Sequence, residues 1–218
     1  MQKSLLFVGM AVVIASFSPQ AASADTWSGT LSAWQSAGTI NIGDGPETFG
    51  FTYVSSSNFV SGTTVVISDD IVPGIWNVEL RLAGRSIVAA GQTADLKYLV
   101  HASPFGIASA SLDTTHVGAT TDVDKFINLG QNHFGSPHLY DLHSHNGSAT
   151  GTPLMGSPRD ISVEDSVHAA SASGVTDLQN AFTSSAPEIG TGGLTSALVL
   201  LCGSVALLLS RRRTATVN

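Results

Sequence analysis

The sequence predicts an all-β protein: an antiparallel β-sandwich, jelly-roll-like or immunoglobulin-like, between an N-terminal export signal and a membrane-directed tail. Three observations predict it. Apolar and polar residues alternate in short windows, turn-forming clusters separate those windows, and no window in 25–180 keeps a helical period over three turns. Alternation buries one face of a strand and leaves the other wet. Short strands spaced by turn signals are the pattern of a sandwich.

Taken in order, residues 1–24 have the layout of a secretory signal. Lys3 supplies the positive region, Leu5 to Phe17 the apolar core, and Ala22 and Ala24 the small residues read at cleavage. Cleavage after Ala24 would leave Asp25 as the new N-terminus.

The domain is expected over 25–182. "IWNVELRL" (Ile75 to Leu82) puts Trp76, Val78, Leu80 and Leu82 on one face, with Asn77, Glu79 and Arg81 opposite. "DLKYLVHA" and "GIASASLD" show the same period more weakly. "TFGFTYVS", "GTTVVIS", "SIVAA", "HLYDLH" and "RDISVEDSV" are further strands, rich in β-branched or aromatic residues. Between them lie "GDGPE", "SDDIVPG" and "FGSPH". "DKFINLG" and "TDLQNAF" are each assigned a turn or so of helix, and Asn146 to Pro158 a surface loop.

A flexible spacer carrying a Pro-Glu signature is expected over 183–193. Leu194 to Leu209 then gives 16 residues without a charge. At about 1.5 Å per helical residue this is roughly 24 Å, a short transmembrane span. Arg211, Arg212 and Arg213, within the basic tail 210–218, would hold its end in the cytoplasm.

Pro187, Glu188 and Ile189, the Gly-rich spacer, the apolar helix and the Arg cluster together resemble the PEP-CTERM sorting signal, with Pro-Glu-Ile in place of Pro-Glu-Pro. The resemblance covers about the last 30 residues. It implies recognition by an exosortase, a membrane-embedded cysteine protease of Gram-negative bacteria that make exopolysaccharide. It also implies transient residence in the inner membrane, then release to the cell surface or an extracellular matrix. No Leu-Pro-x-Thr-Gly box is present.

Charge narrows the partners. All 16 acidic residues lie between Asp25 and Glu188, with only Arg81, Arg85, Lys97, Lys125 and Arg159 as bases there. That acidic balance argues against nucleic acid. The single cysteine, Cys202, falls in the tail, so the domain has neither a disulfide nor a cysteine nucleophile.

Two clusters bear on metal chemistry. In "YDLHSHNG", Asp141, His143 and His145 alternate on one face of a strand, a set able to hold a divalent ion such as Zn²⁺. His133 and His138 precede it. The segment faintly resembles the Asp-x-His-x-His opening of the polymerase-and-histidinol-phosphatase family. That family spreads further ligands over much more chain, whereas only His168 follows here. Asp113, Asp122 and Asp124, expected in a loop, offer oxygens suited to Ca²⁺ but lack EF-hand spacing. Both clusters fit solvated polar positions better than a metal site, and no catalytic residue or cofactor is assigned.

Three functions follow. The first is a non-catalytic structural or adhesive surface protein. The second is a carbohydrate-binding module, with sugar-stacking aromatics sought among Trp27, Trp34, Trp76, Tyr53, Tyr98 and Tyr140. The third is a metal-dependent hydrolase built on the histidines.

Overall fold

The structure, a computed structural model, describes residues 25–43, 48–72, 75–117, 121–170 and 174–185. The export signal with Ala22 and Ala24, the Pro187–Glu188–Ile189 signature, the apolar segment 194–209 and Arg211 to Arg213 lie outside them. Among the described residues no helix is long and apolar enough to cross a membrane.

From the N-terminus the chain forms β1 (Thr26–Thr30), the helix α1 (Leu31–Ala37), β2 (Thr39–Ile42), β3 (Thr48–Ser57) and β4 (Thr64–Val72). There follow β5 (Ile75–Val88), β6 (Thr93–Ser103), β7 (Ile107–Val117), β8 (Thr121–Leu129) and β9 (Tyr140–His145). Then come β10 (Thr150–Pro153), β11 (Asp160–Ala169) and β12 (Gly174–Ser185). They make two six-stranded antiparallel sheets, in the orders β1-β4-β5-β12-β7-β10 and β2-β3-β6-β11-β8-β9. We call these the first and second sheet. The chain changes sheet at every step from β5 to β8, and again from β9 to β12.

Alternation chooses the buried face. Trp76, Val78, Leu80 and Leu82 of β5 are buried as their period predicts, facing Leu96, Tyr98 and Val100 of β6 and Val163 and Val167 of β11 in one core. Each such apolar side chain withdrawn from water contributes about 1.5–3 kcal/mol. An aromatic chain runs through this core: Phe49 meets Trp76 edge-on at 5.0 Å, and Phe51 meets Phe182 at 5.9 Å.

Helix α1 is too short to be stable alone; its caps and one side chain hold it. Thr30 Oγ1 accepts from the Ala33 N–H at 3.2 Å, and the Gly38 N–H donates to the Trp34 carbonyl at 2.9 Å. Gly38 needs its φ of 73°, which glycine adopts at least cost. Trp34 is fully buried, and its indole N–H donates to the Phe51 carbonyl at 3.1 Å.

Several sequence expectations need correction. "DKFINLG" and "TDLQNAF" are not helical: they lie in β8 and β12, each hydrogen-bonded to strands on both sides. Pairing of that extent overrides weak local preference. The loop expected over 146–158 contains the edge strand β10, and residues 183–185, expected within the spacer, belong to β12.

The core also holds charge. Lys125 on β8, Asp165 on β11 and Asn180 on β12 are each 0% exposed.

Candidate functional site

Register builds the first candidate site. On the outward face of the second sheet, β8 and β9 place Asp122 directly opposite His145 and Asp124 directly opposite His143. Side chains so placed are about 4.5–5.5 Å apart at Cβ, within reach of one another. His145 Nδ1 lies 2.5 Å from Asp122 Oδ1, and His143 Nδ1 lies 2.6 Å from Asp124 Oδ1. His143 Nε2 is 3.7 Å from Asp122 Oδ1, so Asp122 stands between both imidazoles. The two rings lie near parallel with centroids 6.4 Å apart.

Electrostatics follows this contact pattern. The hydrogen bond to Asp124 holds the His143 imidazole above its ordinary value, against a smaller opposing effect of desolvation. The hydrogen bond from His145 holds the Asp122 carboxyl below the usual carboxylate range, and the charges of His143 and His168 act in the same direction. His168 faces Asp122 from β11 and bonds to Thr93 on β6, which extends the polar row across four strands.

Asp122, His143 and His145 can each offer one ligand atom within 4.8 Å of the others. Two donors on a tetrahedral Zn²⁺ lie about 3.3 Å apart, so the three side chains must rearrange before all can bind one ion. Rotation of half-exposed side chains supplies that. The two histidines are those the sequence pointed to, but the third member is Asp122 from the neighbouring strand. Asp141 shares their face one row away, opposite Phe126. His138 stacks on Phe126 at 4.2 Å and His133 lies in the β8–β9 connection, so the four histidines do not converge. Asp113, Asp122 and Asp124 occupy strands rather than a loop, and Asp113 lies in the other sheet.

The second candidate site is a cleft of about 260 Å³ at α1, the end of β3 and the β3–β4 connection. Its lining includes Gln35, Tyr53, Ser56, Asn58 and Phe59. Tyr53 is held from behind by an edge-on contact with Trp34 at 5.6 Å, and its hydroxyl bonds to Ser56 Oγ at 2.8 Å. Asn58 fixes the cleft wall by donating to the Thr93 carbonyl at 2.8 Å. An aromatic ring beside amides and hydroxyls offers an apolar face together with donors and acceptors. Of the other aromatics considered from sequence, Trp34, Trp76 and Tyr98 are core residues. Trp27 and Tyr140 are partly buried against that core. Gln35 and Phe59 carried no sequence signal, because only folding brings them to Tyr53.

No protein-family model matches the chain, and no curated protein matches it. Among solved structures, TmCBM61 in complex with beta-1,4-galactotriose aligns with 55% of this chain and 83% of its own. The TM-score is 0.25 and the identity 9%. A likeness that loose carries no argument about function.

Proposed function

We propose that this chain is an exported, non-catalytic binding protein of the bacterial surface or exopolysaccharide matrix, and that its sandwich holds a sugar unit in the Tyr53 cleft. The export signal and the PEP-CTERM-like tail support the destination, with an exosortase-like protease as processing partner and the inner membrane as a waypoint. One observation carries the binding role: Tyr53, Gln35, Ser56 and Asn58 line a single cleft beside Phe59. Sugars present apolar ring faces edged by hydroxyls, and an aromatic ring flanked by amides matches both. The volume lies near the lower bound of ligand pockets, about 300–1,000 Å³, which suits one ring or a chain end.

A glycan array probed with the exported protein tests this reading. Binding that falls at least about tenfold in Gln35→Ala, a change on an exposed helix position, supports it. An array without signal for neutral and acidic polymers overturns it.

The Asp122–His143–His145 geometry favours a second reading, a surface divalent-cation site that reinforces adhesion or matrix contact. Asp122, His143 and His145 stand half-exposed on a sheet face, which favours binding over hydrolysis, because metal-assisted hydrolysis draws on a dry, shaped cavity. Zinc titration calorimetry of the wild type against a His143→Ala, His145→Ala double variant checks it. Equal heats from both proteins would count against the site.

A further inference from the structure

The most unusual chemistry in the molecule lies inside the sandwich. Lys125 Nζ donates to Asn180 Oδ1 at 2.8 Å and to the Ser111 carbonyl at 3.0 Å. Asn180 Nδ2 donates to Asp165 Oδ2 at 2.8 Å. These partners fix the amide orientation, since an ammonium only donates and a carboxylate only accepts. Asp165 is the cross-strand neighbour of Lys125 in the second sheet, while Asn180 belongs to the first. Phe182 places its ring 4.3 Å from Nζ. A nucleophile, an acyl carbon and a proton carrier therefore meet in a dry site, on strands that local sequence does not connect.

We propose that Lys125 and Asn180 form an intramolecular isopeptide bond that joins the two sheets, with Asp165 as the proton carrier.

The step balances without a co-reactant. The reacting form is the neutral pair, one proton having left the Lys125 ammonium and one having joined the Asp165 carboxylate, so that the two are amine and carboxylic acid. Burial favours those neutral forms, pushing the lysine down and the aspartate up from their ordinary values. The amine lone pair then adds to Cγ of Asn180, one bond of about 1.23 Å from the oxygen Nζ already contacts. Asp165, on the Nδ2 side, gives its proton to that nitrogen and takes one from the attacking nitrogen. The Cγ–Nδ2 bond breaks, ammonia leaves, and the Nζ–Cγ amide remains with Asp165 protonated. Nothing is oxidised or reduced. Held geometry supplies the rate, as in other intramolecular acyl transfers. The product carries no charge, so the cost of a buried ion pair disappears. A covalent tie of this kind also serves a domain whose segment 25–188 contains no cysteine.

Intact-mass measurement of the full chain, with tryptic mapping, tests the proposal. The expected result is a deficit of one ammonia, about 17 Da, as acyl transfer to nitrogen requires. Trypsin should fail at Lys125 and release a branched species joining Tyr98–Arg159 to the peptide that begins at Asp160. Two variants of nearly unchanged shape refine the test. Asp165→Asn removes the proton carrier and should leave the bond unformed. Asn180→Asp should lose water, about 18 Da, and give the same branch. A folded wild-type chain of full mass, cut normally at Lys125, overturns the proposal. So does a branched species that persists undiminished in Asp165→Asn.

Discussion

The carboxamide of Asn180 reaches across the core to Asp165, Nδ2 to Oδ2 at 2.8 Å, so two polar side chains from opposite sheets meet where neither is exposed. The Tyr98 hydroxyl, also buried, feels the same carboxylate: burial first, then the charge of Asp165 and its hydrogen bond, raises the phenol well above its ordinary value.

Removing one charge from this group should cost more than removing both. In an Asn180→Ala background, which cannot cross-link, Asp165→Leu leaves Lys125 as a lone buried ammonium and is expected to destabilise by about 3–5 kcal/mol. Adding Lys125→Met should recover most of that loss. Urea denaturation of the single and double variants measures the difference.

Trp34 ties α1 to β3 and backs Tyr53. Trp34→Ala should cost about 3–5 kcal/mol through the cavity it opens. Trp34→Phe keeps most of the bulk but loses the bond to the Phe51 carbonyl, and should cost about 1–3 kcal/mol. Thermal unfolding gives the order. Sugar binding should weaken in both, since each alters the support behind Tyr53.

Gly106 is required by a close backbone approach. A Cβ there would lie 1.7 Å from the Ser157 carbonyl oxygen, a contact no side-chain rotation relieves. Gly106→Ala should therefore destabilise by about 1–3 kcal/mol and displace the segment before β11. Gly84, whose nearest neighbour would be a side-chain methyl at 3.4 Å, should accept alanine within about 0.5 kcal/mol. Comparing the two melting curves tests the contrast.

The β8–β9 edge should respond to pH in a defined direction. The His143 imidazole sits above its ordinary 6.5, so its contribution is complete below 6.5 and lost as pH rises through the folded value. Asp122 sits below its ordinary 3.8, so its contribution is present above 3.8 and lost as pH falls through the folded value. Amide protection in β9, corrected for the intrinsic pH dependence of exchange, should be greatest between those limits. A proton NMR titration of His143 should show the elevated midpoint directly. Zinc affinity should run the other way, rising as the imidazoles lose protons.

Much of the architecture was legible because alternation is a local property. Trp76 to Leu82 announce their buried face by spacing alone, the same period marks β6 and β7 more weakly, and β-branched or aromatic residues mark β3, β4, β9 and β11. The short strands β1, β2 and β10 offered too few residues for a period. The central strands β8 and β12 were obscured because Lys125 and Asn180 occupy inward positions, which breaks the apolar rhythm that marks a buried face. His143 and His145 could be singled out as an i, i+2 pair, but their partner Asp122 could not.

By itself the sequence determined the class of fold, the acidic character of the domain and the expectation of export, because each depends on composition or on neighbours along the chain. Tertiary structure alone decided that Asp122 meets His145, that Gln35 lines a cleft with Tyr53, and that Lys125, Asp165 and Asn180 converge. Those meetings depend on strand register and on how two sheets stack. A slip of one residue in the register of a strand would turn its side chains to the opposite face.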